Sequence, residues 1–158
     1  MTTQFARSYK NERAYSECPT AQGKHYTTLG IIGKEGFIFH HNFEGYLDKL
    51  YFIYLLKIFI IPKFSNTNKY LIMDNCSSHK NDDVINLLKE NNVKFLFLPP
   101  YSPEYNPIEL AWSKIKQFIK SLKPRCEFHL GLSIYSAIKS VSLDDINGYF
   151  RHVNNCYI

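Results

Sequence analysis

Residues 70–98 constrain the fold most, because they carry the pattern of a β-α-β unit. The short apolar run of residues 70–73 ends in Asp74 and is typical of a strand covered on both faces. Residues 82–91 then show helical spacing, with acids in the first turn and leucines on one face. Residues 94–98 (KFLFL) form a second strand, which ends at a pair of prolines. This unit predicts an α/β fold.

The preceding segments extend the α/β pattern. Two strand-like runs, residues 27–33 and 36–42, are separated by Lys34 and Glu35, which predicts a hairpin. Residues 48–61 follow as a helix that is apolar on nearly all sides, as in the buried layer of an α/β domain.

The C-terminal third is predicted to be helical. A long helix begins at Asn106, has Pro107 in its first position and ends at a proline. Residues 127–140 and 143–153 form two closing helices. Because no repeat or linker marks a boundary, we expect a single domain over residues 1–158, with a mixed sheet flanked by helices.

Composition narrows the class of protein. With 158 residues, 45% of them hydrophobic, the chain can bury a sizeable core. Its most apolar run, residues 50–61, is too short for a membrane span, which takes roughly 20 residues, so a soluble intracellular protein is expected. The cysteines have neither a C-x-x-C pair nor a histidine at ligand spacing, and we expect no zinc site and no disulfide framework. They are Cys18, Cys76, Cys126 and Cys156.

The net charge of +5 permits nucleic-acid binding without establishing it. One basic stretch contains no acid, and its members are Lys114, Lys116, Lys120, Lys123 and Arg125. Such a run is either a solvated helix face or a surface that contacts phosphates.

Two carboxylates stand where a metal site could form. Asp74 lies at the carboxyl end of a predicted strand, where open α/β sheets bind ligands, and Glu109 lies in the first turn of the long helix. Two-metal phosphoryl transfer needs acids from different elements that converge on one spot. Each acid also has a structural interpretation. Asp74 and Asn75 could simply turn the chain, and Glu109 could form a capping box with Asn106.

Three strings surround these acids. They are DNCSSHK at residues 74–80, FLPPYSPEYNPIE at residues 97–109 and WSKIK at residues 112–116. Together they resemble the DDE domain of mariner-type transposases and of their bacterial insertion-sequence relatives. The family patterns are D-N-x-x-x-H-K, L-P-P-Y-S-P-x-x-N-P-I-E and W-x-x-x-K. The resemblance spans about residues 6–122 and leaves residues 123–158 as C-terminal helices.

This resemblance implies an RNase H-like fold, of the kind found in retroviral integrases, and a role in DNA transposition. Asp74 would be the second and Glu109 the third acid of a triad that holds Mg²⁺ or Mn²⁺ for DNA strand cleavage and strand transfer. The implied partners are transposon ends and target DNA, in the bacterial cytoplasm and at the nucleoid. Asn75, His79 and Asn106 are expected to support the site, and the basic run to contact DNA.

The chain departs from the family pattern at its N-terminal end. In the family, the first triad acid closes a strand upstream of the segment that matches residues 1–14. We therefore expect a truncated domain that lacks this strand, its acid and the preceding helix-turn-helix domain. Asp48 matches a non-catalytic position and does not replace the acid. The expected consequences are an unpaired sheet edge, weak metal binding and almost no activity, unless an upstream transposase fragment complements the chain.

Two other functions remain open from the sequence. One is a non-catalytic DNA-binding or self-associating transposase remnant that could poison a full-length enzyme by mixed assembly. The other is a ribonuclease of the same fold, against which the string at residues 97–109 argues.

Overall fold

The computed structural model describes residue 10, residues 24–124 and residues 126–155. Arg125 lies outside the described residues. Apart from Lys10, so do residues 6–23, the first part of the segment that resembles the family. Within the described part, strands come first and helices dominate the C-terminal half.

A hairpin opens the described domain. β1 (Tyr26–Gly33) and β2 (Gly36–Glu44) pair in antiparallel fashion, as predicted. Gly33 pairs with Gly36, so the two residues between them make the turn. Gly36 has a φ of 111°, in a region that favours glycine.

A long helix follows in three parts: α1 (Lys49–Leu55), a π-helical turn (Leu56–Ile60) and α2 (Ile61–Phe64). Asp48 caps its start, because its carboxylate accepts a hydrogen bond of 2.7 Å from a first-turn amide. The π-helical turn ends two residues before Pro62, which has no amide hydrogen to donate to the preceding turn.

This helix is less covered than its composition predicts. Leu50, Tyr54 and Ile58 are each more than half exposed, so the prediction of a helix buried on nearly all sides is wrong. Its opposite face, which carries Phe52 and Leu56, is buried in the first of two apolar cores.

The β-α-β unit forms as predicted, from β3 (Tyr70–Met73), α3 (Asp82–Glu90) and β4 (Lys94–Phe97). β3 and β4 are parallel, in register from Tyr70 with Lys94 to Met73 with Phe97. The buried side of α3 packs with β3 and the long helix in the first core.

The predicted single mixed sheet is not what the described residues form. Among them, β1 pairs only with β2 and β3 only with β4, which gives two separate two-stranded sheets. β3 is covered on one face alone, since Tyr70 and Ile72 are 54% and 56% exposed. An apolar run identifies a strand but not the number of layers around it. The α/β class is therefore confirmed, while the RNase H-like topology stays a prediction.

Three helices complete the domain: α4 (Pro107–Leu122), α5 (Glu127–Lys139) and α6 (Leu143–Asn155). α4 packs on both α5 and α6 and also contacts β1. The second apolar core lies between α4 and α5 around Ile115 and Ile138. None of the helices in the described part of the chain is long and apolar enough to cross a membrane.

Candidate metal site at the ends of β3 and β4

Hydrogen bonds join the ends of β3 and β4 and fix the start of the loop that carries Asp74. The Leu98 amide donates to the Met73 carbonyl (2.8 Å), and the Asn75 side-chain amide donates to the Leu98 carbonyl. Because the strands are parallel, the chain leaves the sheet at the same end after each of them. Asn75 therefore holds the two loops together.

The Asp74 carboxylate is oriented by its own loop. Its Oδ1 accepts hydrogen bonds from the Cys76 amide (3.2 Å) and from Nδ1 of His79 (2.7 Å). The His79 ring packs on Phe52, with centroids 4.4 Å apart, and its side chain is only 15% exposed. His79 thus supports the site by holding Asp74, whose own side chain is 53% exposed.

Opposing effects set the pKa of Asp74. Partial burial penalises the charged carboxylate and raises the pKa, whereas the Cys76 amide and the charge and hydrogen bond of His79 lower it. The lowering effects prevail in sum, so the pKa of Asp74 lies below its ordinary value. Asp74 is therefore ionised at neutral pH, which is the form that binds a cation.

Glu109, the second candidate acid, lies in the first turn of α4. A 3₁₀ turn (Pro103–Tyr105) follows the proline-rich loop, and α4 begins after Asn106. The Asn106 side chain makes no capping hydrogen bond, so the capping-box interpretation of Glu109 is wrong. The Glu109 amide donates to the Asn106 backbone carbonyl instead (3.0 Å).

The position of α4 depends on close packing between Trp112 and Gly30 of β1. A Cβ atom at Gly30 would lie 2.8 Å from two carbons of the Trp112 ring. The indole also packs against Phe37 of β2, with centroids 6.0 Å apart. Glu109 is one helical turn before Trp112, so this contact helps to fix the backbone position of Glu109.

The loop after β3, the proline-rich loop after β4 and the first turn of α4 line one cavity of about 550 Å³. Of the site residues predicted from the sequence, those in its lining are Asp74, Asn75, Asn106 and Glu109. His79 is not in the lining, although it is hydrogen-bonded to Asp74. Cys76 and Lys80 also line the cavity. They were not predicted as site residues, although their place in the string at residues 74–80 is a signal that could have identified them.

The basic run divides into two parts. Lys114 donates to Asp145 of α6 (2.5 Å), so its charge is used within the fold. Hydrogen bonds from Lys114 and from Ser142 lower the pKa of Asp145 to about 2. The remaining lysines of the run that the structure describes are exposed, and they are Lys116, Lys120 and Lys123.

The fold and the cavity define an α/β protein in which a strand-end aspartate and a helix glutamate face one space. A family model described as DDE superfamily endonuclease matches residues 1–128, and the chain belongs to this family. It is thus a protein of the transposase and nuclease type, a class that acts on DNA and typically uses divalent metal ions. A search of curated proteins found no match to the chain.

The lining fits a divalent cation of the Mg²⁺ type in its donor chemistry. It includes the two acids Asp74 and Glu109, and Mg²⁺ and Mn²⁺ prefer carboxylate oxygen ligands. The Asn75 Oδ1 atom is buried and has no hydrogen-bond partner among the described residues. A buried acceptor of this kind is costly unless something satisfies it.

Proposed function

We propose that this chain is a metal-dependent domain for DNA strand cleavage and strand transfer, of the mariner type and with an RNase H-like arrangement. Asp74 and Glu109 would bind Mg²⁺ or Mn²⁺ in it. The observation that carries the proposal is that Asp74 and Glu109 are both among the residues that line one cavity, although they come from different elements. The family match supports the class of chemistry.

Each side chain has a distinct part in this proposal. Asp74 supplies a fixed, ionised carboxylate because His79 and the Cys76 amide hold its Oδ1 atom. Glu109 adds a second negative charge from the first turn of α4. A bound cation would stabilise the charge that develops on a phosphoryl oxygen. Asn75 and Asn106 shape the loops around the two acids.

The substrate would approach across a basic surface. Lys116, Lys120 and Lys123 are exposed and follow one another at spacings of four and three residues, so they share one face of α4 and its C-terminal end. Contacts from such lysines to phosphates give affinity without sequence specificity. Transposon ends and target DNA are the proposed ligands.

The site is expected to be weak in the isolated chain. Two carboxylates in the described lining hold a pair of ions less well than three acids would. We propose that another polypeptide, either an upstream transposase fragment or a second copy, supplies the further acid. Each of the four strands in the described sheets has one edge without a strand partner, and an added strand would bind at such an edge.

Mn²⁺ binding, followed by electron paramagnetic resonance, tests the proposal directly. The wild-type chain is compared with Asp74→Asn and Glu109→Gln, and Glu104→Gln serves as the control. Glu104 is exposed and lies five residues from Glu109, outside the cavity lining. Each site variant is expected to weaken Mn²⁺ binding at least about tenfold, since a ligand is lost, while the control matches the wild type. Wild-type affinity in Glu109→Gln would refute the shared site.

Cleavage of supercoiled plasmid DNA with Mn²⁺ tests the activity itself. The isolated chain is expected to cleave little or no DNA, because the second ion is poorly held. Robust cleavage by this chain alone would refute the need for a further acid. Cleavage that survives both Asp74→Asn and Glu109→Gln would refute the proposed site.

A further inference from the structure

A second grouping of metal-ligand types lies in the loop after β3. Asp74, Cys76 and His79 bring one oxygen, one sulfur and one nitrogen atom within 4.8 Å of one another. The expectation that no cysteine has a histidine at ligand spacing is wrong, since Cys76 and His79 are three residues apart. We infer that these three side chains bind a transition metal ion of the zinc class.

The spacing of the three atoms suits a tetrahedral ion. Zn²⁺ binds sulfur at about 2.3 Å and nitrogen or oxygen at about 2.0–2.2 Å, which puts neighbouring ligand atoms about 3.5 Å apart. Nδ1 of His79 lies 2.7 Å from Oδ1 of Asp74, and none of the three separations exceeds 4.8 Å. Side-chain rotations that move each atom by about 1 Å would therefore close the site.

The backbone already holds the loop in this shape. The Cys76 carbonyl accepts hydrogen bonds from the His79 amide (3.0 Å) and the Lys80 amide (2.9 Å). The Asn81 side chain donates to the Ser78 carbonyl (3.0 Å) and also caps α3. Because these hydrogen bonds hold the turn, little conformational freedom is lost on binding.

The sulfur atom decides the class of metal. Thiolate ligands select zinc-class ions, whereas Mg²⁺ and Mn²⁺ prefer oxygen. Cys76 is exposed, and its Sγ lies 3.0 Å from the Ser78 hydroxyl, which can donate to a thiolate. On binding, the thiol proton passes to solvent, and Nδ1 of His79 binds the ion in its unprotonated form. The ion then replaces the hydrogen bond between His79 and Asp74.

The family pattern does not specify all three ligands of this zinc-class site. The pattern D-N-x-x-x-H-K leaves position 76 open, and cysteine stands there in this sequence. Asp74 and Cys76 both line the cavity, so a fourth ligand position would face it. One consequence rests on the proposed function: a zinc-class ion would occupy Asp74 and oppose Mg²⁺ or Mn²⁺ binding with Glu109.

Co²⁺ is the probe for this site, because a cobalt–thiolate bond gives a charge-transfer band in the near ultraviolet. The wild-type chain is titrated beside four variants, each with one cysteine changed to serine. The band is expected in the wild type, Cys18→Ser, Cys126→Ser and Cys156→Ser. Cys76→Ser is expected to lose the band and to bind Co²⁺ at least about tenfold more weakly. A band that persists in Cys76→Ser, or is missing from the wild type, would overturn the inference.

Two further variants separate this site from the proposed function. His79→Gln is expected to weaken Co²⁺ binding at least about tenfold, and circular dichroism checks that it folds. Glu109→Gln is expected to keep the cobalt band while it loses Mn²⁺ binding. A cobalt band that depends on Glu109 would overturn the separate site. An intact cobalt band in a wild-type chain that binds no Mn²⁺ would support this inference and count against the proposed function alone.

Discussion

Replacing Gly30 by alanine tests the contact that positions α4, and with it Glu109, on the hairpin. The added Cβ would lie 2.8 Å from Cη2 and Cζ2 of Trp112, whereas carbon atoms in contact prefer about 3.5–4.0 Å. The ring or the strand must therefore shift by roughly 0.7 Å or more. Trp112 is rigid and packs against Phe37 on the hairpin, so little movement is free. Overpacking of this kind costs about 1–3 kcal/mol, and we expect a loss of about 2 kcal/mol.

Urea unfolding followed by fluorescence measures this effect at its source, because Trp112 is the only tryptophan of the sequence. We expect a lower midpoint and a shifted emission maximum in the folded Gly30→Ala variant. Strand propensity alone predicts the opposite, since alanine suits a strand interior better than glycine. The displacement should also weaken Mn²⁺ binding, because Glu109 lies on the same helix.

Two comparisons make the reasoning refutable. Gly131→Ala adds a Cβ that meets nothing within 4 Å in α5, and it should stabilise the protein by about 0.5–1 kcal/mol. In a Trp112→Phe background, followed by circular dichroism, Gly30→Ala should cost much less because the outer ring carbons are gone. A Gly30→Ala variant within about 0.5 kcal/mol of the wild type and with unchanged emission would refute the argument.

Three further predictions follow from charges and hydrogen bonds. Asp145→Asn should lower the free energy of unfolding by about 1 kcal/mol above pH 4, discounted for solvent screening. The pKa of the wild-type Asp145 carboxyl falls from 3.8 to about 2 on folding, so the stability difference between variant and wild type should vanish as the pH drops through that range. A stability difference that stays constant with pH in urea titrations would contradict this linkage. Asn75→Ala should cost about 1–3 kcal/mol in the same assay, because the Leu98 carbonyl loses its side-chain donor; wild-type stability would show the bond to be unimportant. Lys116→Ala with Lys120→Ala should reduce the slope of DNA affinity against salt by about 2, while Lys89→Ala on α3 should leave it unchanged. Equal slopes for all three would place the DNA surface elsewhere.

Local patterns were sufficient for most elements of the fold. The hairpin, the β-α-β unit and the three C-terminal helices follow from alternation, helical spacing and proline positions. Such signals act between near neighbours in the chain, which is why the sequence carries them. The layers around each element depend on distant contacts. For this reason the exposed face of β3, with Tyr70 and Ile72, and the exposed side of the long helix were predicted wrongly.

The site shows the same division. The string around Asp74 and Glu109 identified both acids as candidates, because a family pattern records residue types and spacing. The family pattern does not show that Lys114 forms an ion pair with Asp145. Nor does it show that the Asn106 side chain makes no capping hydrogen bond. Both depend on how helices pack and on side-chain rotamers, which spacing does not specify.

The sequence by itself determined the α/β class, the strand that ends in Asp74 and the helix that begins before Glu109. Only the tertiary structure decided that Asp74 and Glu109 line one cavity and that His79 and Cys76 lie close to Asp74. The physical reason is distance along the chain. Elements form from contacts within a few residues, whereas a shared cavity requires parallel pairing of β3 with β4 and packing of Trp112 on Gly30.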